Sequence, residues 1–376
     1  MKIIKIDGRE VGFLPNKILN RIKKQSVGLK VNAEELFKEV IPLITDGITT
    51  TEIDELLAFK SADKIILHPD YSILGGRILL SRQSKLIGKE LQPVDLTYDF
   101  FAATTFLDKY SDKSEDEVPI ELPHMMYKRV SSVLYPNDGE HKDELLEELN
   151  AKRGNFATPT YTNLGVDGRG SAISCNLTHL KGDNTADIEE TLTKIAYASK
   201  EGSGIGLFID PLRSQESTVS SFKGKAGGVP RFADMVQSKM RFYKQGSRSG
   251  SCALYMSLWH KDILSFLSLT LPIGEEVLRA RDLFTAVIVN DLFMSKLLAD
   301  EEWYLFCPND IYKAGLPALQ DVIGEEFVDV YWKAVGLGLG TKVQAKTIWD
   351  SIIKSQAESG KPYVLNKENA NRRNMQ

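Results

Sequence analysis

The sequence predicts an α/β fold made of consecutive strand and helix units, on three observations. The chain has 376 residues with 42% hydrophobic and 26% charged composition, enough to bury at least one large core. After Ala157, short apolar segments recur: Ala172–Thr178, Ile205–Ile209, Ala253–Ser257, Phe284–Val289 and Tyr363–Asn366. Each is short and apolar throughout, as strands of a buried parallel sheet are. Between them lie stretches with apolar residues at helical spacing. Ile188, Leu192, Ile195 and Ser199 share one face, Phe232, Met235, Val236 and Lys239 a second, and Ile348 with Ile352 a third. Repeated βα units imply parallel strands with helices outside and chemistry at the carboxyl ends of the strands. About five such strands amount to half a barrel.

Two regions precede this pattern. Over residues 1–88, apolar segments around Ile3–Ile6 and Val11–Phe13 flank Asp7-Gly8, a dipeptide favoured in tight hairpin turns. Ile18, Ile22, Leu36, Val40, Ile53 and Leu57 then recur at helical spacing, so a β-hairpin followed by a small helical bundle is expected. Gly47 to Thr51 offers hydroxyls just ahead of Glu52, where a starting helix needs its first amides satisfied. Residues 89–156 read as helical in patches, and the run from Ser111 to Glu117 as a solvated loop. The third region is 157–376.

Lys plus Arg number 47 against 51 Asp plus Glu, a net charge of -4, which argues against a surface that holds duplex nucleic acid by counterion release. Lys2, Lys5 and Asp7 interrupt the first residues before any apolar run reaches signal-peptide length, and no later segment approaches ~18 consecutive apolar residues. The expectation is a cytoplasmic protein with no membrane partner. Cys175, Cys252 and Cys307 are too few and odd in number for a disulfide framework, and none has zinc spacing, so no protein-held metal is expected.

The densest stretch runs from Ala157 to Asp183, with Pro159-Thr160, then Ser174-Cys175 inside the apolar segment AISCNLT, then Gly182-Asp183. That segment reads as a buried strand, which would hold one thiol at a fixed depth. A free strand cysteine is commonly an inert small core residue, so the flanks decide. Gly202-Ser203-Gly204-Ile205-Gly206 ends a helix and precedes a strand, the reverse of the order a dinucleotide-binding fingerprint needs. Arg213 to Val219 follows the second strand, and Gln245 to Ser251 precedes the third. Such Gly/Ser/Arg loops are usually plain surface connections. Trp259-His260 follows the third strand, and His260 reads as structural.

These residues, taken together, resemble the large subunit of class I ribonucleotide reductases, in the style of T4-like phages. The resemblance implies the first half of a ten-stranded α/β barrel, preceded by an α+β ATP-cone-like domain and a helical region. It implies that Cys175 is one half of a redox pair reducing the 2' carbon of the ribose. Thr160, Ser174, Ser203, Gly204 and Arg248 would line the substrate site with Cys175. Asp183, Asn184, Thr185, Arg213, Val219, Gln245 and Ser247 would bind a deoxynucleotide effector. A loop that touches both ligands lets one bias the affinity of the other, reciprocally. Lys5, Lys17, Thr50 and Lys85 stand at matching positions of the ATP cone, but Ile6, Leu14 and Asp54 replace polar or basic residues common there. The expectation is a cone that keeps its fold with weakened or absent dATP inhibition, because donors are lost and a negative charge is added.

The resemblance covers the amino-terminal half of the family. After Gly360-Lys361-Pro362-Tyr363-Val364-Leu365-Asn366 the family continues into an Asn-x-Cys-x-Glu segment carrying the thiyl-radical cysteine, and this sequence does not include it. A split enzyme is expected, in which a complementary carboxy-terminal chain supplies the remaining strands. The implied reaction is NDP to dNDP. The implied partners are that chain, a small radical-generating subunit with a di-iron tyrosyl-radical centre, thioredoxin or glutaredoxin acting through the complementary chain, and further copies of the large subunit. ATP and dNTPs are the implied effectors, with no cofactor held by this chain. The alternative is a catalytically inactive dNTP-binding regulatory or assembly protein.

Overall fold

The computed structural model describes residues 1–219, 224–243 and 251–374. Contacts divide the chain into two units, Met1–Ala172 and Ile173–Gln376. Residues 157–172, assigned from sequence to the third region, fall in the first unit.

The first unit opens with β1 (Lys2–Ile4) and β2 (Glu10–Gly12), antiparallel, with Ile3 opposite Val11. The connection from Lys5 to Arg9 is wider than a two-residue turn; the Lys5 amide donates to the Arg9 carbonyl at 2.9 Å, and Gly8 takes φ 79°. Four helices follow, α1 (Pro15–Gln25), α2 (Ala33–Val40), α3 (Thr50–Asp63) and α4 (Asp70–Ile87). The hydroxyl-rich lead-in to α3 forms a reciprocal cap: the Thr49 side chain accepts from the Glu52 amide, and the Glu52 carboxylate accepts from the Thr49 amide. Ile18, Ile22, Leu36, Val40, Ile53 and Leu57 all enter one core with Leu74 and Ile78 of α4. This core continues into α5 (Phe100–Thr105), α6 (Pro123–Leu134), α7 (Gly139–Asn150) and α8 (Thr158–Asn163). The acidic run is solvated only in its second half. Ser111 is buried and its hydroxyl accepts from the Glu121 amide at 3.1 Å, whereas Glu115, Asp116 and Glu117 are exposed.

The second unit runs β3 (Cys175–His179), α9 (Thr185–Lys200), β4 (Gly204–Phe208), β5 (Thr218–Val219), β6 (Gly224–Lys225), α10 (Gly228–Phe242) and β7 (Ser251–Ser257). It continues with α11 (Ile263–Ser268), β8 (Phe284–Val289), α12 (Asp291–Leu298), β9 (Glu302–Leu305), α13 (Pro308–Lys313), α14 (Gly324–Gly336), β10 (Thr341–Gln344), α15 (Ala345–Ser359), β11 (Tyr363–Asn366) and α16 (Lys367–Arg373). The five predicted strands form one parallel sheet in the order β11-β8-β7-β4-β3. Each new strand is added on the same side of the previous one. Right-handed crossovers wound in one direction place their helices on one face, and the burial follows that rule. Ile205, Leu207, Cys252, Leu254, Met256, Val287 and Val289 join a core with Leu192 and Ile195 of α9 and Phe232 and Val236 of α10.

The alternate residues point the other way. Register aligns Cys175 with Gly204, Leu177 with Gly206 and Ala253, and His179 with Phe208, Tyr255, Ala286 and Tyr363. On this face, opposite the crossover helices, Leu177 is 85% exposed, Tyr363 51% and Leu365 40%, whereas Ser257, Ala286 and Ile288 are buried. The expectation of a buried strand around Cys175 is therefore corrected. Residue Cys175 starts an edge strand, and the residue is exposed.

Two further readings change. On α10 the buried stripe is Val229, Phe232, Ala233, Val236, Gln237 and Met240, while Met235 is exposed and Lys239 lies at the margin, because the helix turns Ala233 and Met240 inward instead. An antiparallel pair, β9 with β10, was not anticipated; Thr341 pairs with Leu305 and Gln344 with Glu302. Its first strand carries the apolar run Trp303-Tyr304-Leu305, which Phe306 continues, with Trp303 and Leu305 buried, whereas β10 is mostly polar and exposed.

Candidate functional site

Two groups of predicted residues come together in the second unit, at opposite ends of the sheet. At the amino end, Cys175 and Gly204 are the first residues of their strands and lie side by side. The Ser174 hydroxyl donates to Cys175 Sγ at 3.6 Å, and the Gly204 amide donates to the Ser174 carbonyl at 2.7 Å. A side chain at Gly204 would place its Cβ 3.9 Å from Cys175 Sγ, so glycine leaves the space beside the thiol open. The Ser203 hydroxyl is buried and donates to the Ile173 carbonyl at 2.6 Å, which braces the start of β4 against the start of β3. The thiol thus sits at the amino ends of the strands, not at the carboxyl ends expected for open sheets. One-way winding does not by itself account for this, since singly wound α/β barrels also carry their chemistry at the carboxyl ends; the position of Cys175 follows from its being the first residue of β3.

The other two cysteines are different in kind. Cys252 points into the helix-side core, where burial pushes its thiol up to about 12. Cys307 is buried just ahead of α13.

At the carboxyl end, about 16 Å away along a five-residue strand, Asp183 and Arg213 meet. The Arg213 guanidinium donates through Nε to Asp183 Oδ2 and through Nη2 to Asp183 Oδ1 at 3.0 Å, and Nη1 donates to the Thr218 carbonyl at 3.0 Å. The Asp183 hydrogen bonds hold the Arg213 pKa above its ordinary value. Among the described residues three of the five guanidinium N–H groups are used in these bonds. Asn184 caps α9, accepting from the Asp187 amide at 3.0 Å, and Thr185 is the first helical residue. Val219 lies in β5, which pairs with β6 to form the described part of the loop between β4 and α10. Gln245, Ser247 and Arg248 fall outside the described residues.

Sequence reasoning missed Asp262 and gave His260 only a structural part. Both are buried, and the Asp262 carboxylate accepts from the amides of Gln215 and Val229, at the two ends of that loop. The only signal was the tetrapeptide Trp259-His260-Lys261-Asp262 leaving a predicted strand. Asp210, just past the end of β4, is fully buried; burial raises its pKa, opposed by its bonding to Ser257, and its Oδ2 has no hydrogen-bond partner among the described residues.

In the first unit, Thr160 lies in α8 rather than a turn, and its hydroxyl donates to the Ala172 carbonyl at 3.1 Å. Lys5 is half-buried, Lys17 and Lys85 are exposed, and Thr50 opens α3. Lys85 is near Arg21 and Asp54. Among the described residues no hydrogen bond or ion pair joins Lys5, Lys17, Thr50 and Lys85 to one another. Asp54 was expected to add a negative charge. It is buried and neutralised in place by Arg21, whose Nη2 donates to Oδ2 at 2.7 Å. Desolvation still raises its pKa, with Arg21 opposing. Ile6 and Leu14 are exposed apolar residues.

Comparison with known proteins divides the chain in three. Residues 173–376 match the family model described as ribonucleotide reductase, barrel domain; 96–169 match its all-alpha domain; and 1–86 match the ATP cone domain. The ribonucleoside-diphosphate reductase large subunit of Danio rerio is 32% identical, over 99% of this chain and 52% of the relative. The large subunit of Plasmodium falciparum is 32% identical over 100% and 52%, and that of Arabidopsis thaliana 31% over 100% and 51%. The chain spans about half the length of the curated relatives it matches. No helix of the described residues is long and apolar enough to cross a membrane.

Proposed function

We propose that this chain, which belongs to the ribonucleotide reductase large-subunit family, is the amino-terminal component of an enzyme that reduces ribonucleoside diphosphates. In this reading Cys175 is one of two thiols that are oxidised together. The substrate loses its 2' hydroxyl as water, two thiols become one disulfide, and the two electrons go to the ribose carbon. The second thiol, the radical cysteine and the strands that close the barrel come from a complementary carboxy-terminal chain. A small subunit with a metal-radical centre starts the reaction, and thioredoxin or glutaredoxin resets the disulfide through the complementary chain.

The observation that carries this reading is the exposed Cys175 thiol, beside Gly204 on the face of the sheet opposite the crossover helices. An inert cysteine would be packed like Cys252. The exposed apolar residues of that face, Leu177, Tyr363 and Leu365, support a second set of strands as its cover. Thr160, Ser174, Ser203, Gly204 and Arg248 are assigned to the substrate site. The ion pair of Asp183 with Arg213 supports a deoxynucleotide effector site: a forked guanidinium suits phosphate, and a carboxylate suits a sugar hydroxyl. Asn184, Thr185, Val219, Gln245 and Ser247 complete it. We assign residues 1–88 to a cone with reduced nucleotide response, 89–156 to the helical region and 157–376 to the half barrel, of which 157–172 group by contacts with the first unit.

The test is Cys175→Ser in the complex reconstituted from this chain, its complement and the small subunit. Dithiol-dependent dNDP formation should fall to background while dTTP binding persists. Turnover equal to the unsubstituted complex would refute the catalytic role and leave a binding or assembly protein.

A further inference from the structure

The loop between β4 and α10 is fastened at both ends by one short segment of the neighbouring strand's exit. The Gln215 amide, near the loop's start, donates to Asp262 Oδ1 at 3.0 Å and Oδ2 at 2.9 Å. The Val229 amide, at the loop's return, donates to Asp262 Oδ2 at 3.0 Å. One buried carboxylate therefore closes the loop on itself. Gly228 makes the closure sterically feasible. It has φ 60°, and a Cβ there would collide with Asp262 Oδ2 and lie 2.5 Å from the Gln215 nitrogen. Next to it, His260 Nε2 donates to the Leu212 carbonyl at 2.8 Å, while its Nδ1 accepts from the Asp262 amide at 3.1 Å. These two bonds require the neutral ring with its proton on Nε2. The Ser265 hydroxyl adds a bond to the Gln215 side chain at 3.1 Å.

We infer that His260 and Asp262 are positioning residues that fix the chain at Leu212–Gln215 and at Gly228–Val229, and that they thereby set the affinity of the adjoining Arg213–Asp183 pair for a deoxynucleoside triphosphate. The inference rests on the effector reading of that pair. Its physical basis is preorganisation: with Gln215 and Val229 tied to one carboxylate, the backbone next to Arg213 loses less conformational freedom when Arg213 and Asp183 engage a ligand. Neither His260 nor Asp262 is required to touch that ligand. A charged acceptor holding buried amides is also costly to remove, since the amides are left without partners.

The experiment titrates dTTP into the full chain and reads dissociation constant and stoichiometry separately. Asp262→Asn and Gly228→Ala should each weaken dTTP binding at least tenfold at unchanged stoichiometry, and the double variant should be no worse than the weaker single one. A merely structural role would lower the number of sites instead. Independently of any variant, the Gln215 and Val229 amides of the ligand-free chain should exchange slowly with solvent. Fast exchange at both would overturn the inference, as would variants that bind dTTP as the parent does. If the parent chain binds no dTTP, the effector reading falls first and takes this inference with it, a result distinguishable from retained binding in the variants.

Discussion

Pulse alkylation of the three cysteines tests the placement of the thiol most directly. The perturbation is iodoacetamide at about pH 8 on the native chain, with site-by-site quantification by mass spectrometry. An ordinary exposed thiol with a pKa near 8.5 is roughly one-quarter thiolate at that pH. Cys252, pushed up to about 12 by burial, is ionised to ~10⁻⁴ at the same pH. The thiolate is the reacting species, so Cys252 should react at least about three orders of magnitude more slowly than free cysteine. In the closed fold access is lacking as well, because Cys252 is 0% and Cys307 1% exposed, so reaction by way of an opened fold, where the thiol has its ordinary pKa, sets the rate. Each must wait for an opening of the fold, and an opening free energy of about 5 kcal/mol suppresses the rate by ~10³–10⁴. Cys175, exposed on an edge strand, waits for nothing. It should therefore be modified to completion before either other site is detectable, and urea should abolish the difference. Labelling of Cys252 or Cys307 within tenfold of Cys175 would refute the argument, because it would mean that the β3 edge is no more open than the helix-side core.

Two further substitutions probe the framework. Gly76→Ala would drive a methyl group into the Tyr98 carbonyl and the Asp99 backbone, neither of which is a flexible side-chain end; a loss of about 3 kcal/mol is expected in denaturant unfolding of the first unit, and a wild-type midpoint would contradict the close approach of α4. Asp210→Asn tests the fully buried carboxyl. Its pKa is raised by burial, so its favourable contribution holds below its unfolded value and is lost as pH rises through the folded one. The stability of the variant relative to the parent should therefore improve as pH rises above about 4, the ordinary carboxyl value, by roughly 1–3 kcal/mol if the unpaired oxygen bears the full desolvation cost; a pH-independent difference would show the carboxyl to be solvated.

Much of the barrel was legible because its strands are buried on at least one side by aliphatic residues. β4, β7 and β8 announce themselves as unbroken apolar runs, and their pairing order follows from one-way winding. The hairpin, the capping box at Thr49 and Glu52, and the helical spacing of Ile18, Ile22, Leu36, Val40, Ile53 and Leu57 were equally readable, since each is a local pattern. The antiparallel pair was not, because β10 alternates with polar exposed residues such as Lys342 and Gln344, although its partner β9 carries the buried apolar Trp303 and Leu305. Within the site, the sequence points to Cys175, Asp183 and Arg213 as separate residues. It contains no sign that a glutamine amide, a valine amide and Asp262 share one carboxylate, because the three positions are brought together only by strand adjacency.

What the sequence determined by itself is the set of elements and the chemistry each carries, since helix period, strand length and capping depend on neighbours within a few residues. What only the tertiary structure decided is exposure and partnership. The same five-residue strand would bury Cys175 in the middle of a closed sheet and exposes it at the edge of an open one. Likewise Asp54, a free negative charge on paper, is cancelled by Arg21 from another helix. Both outcomes turn on which distant groups remove water from a side chain, and that depends on packing between elements far apart in the chain.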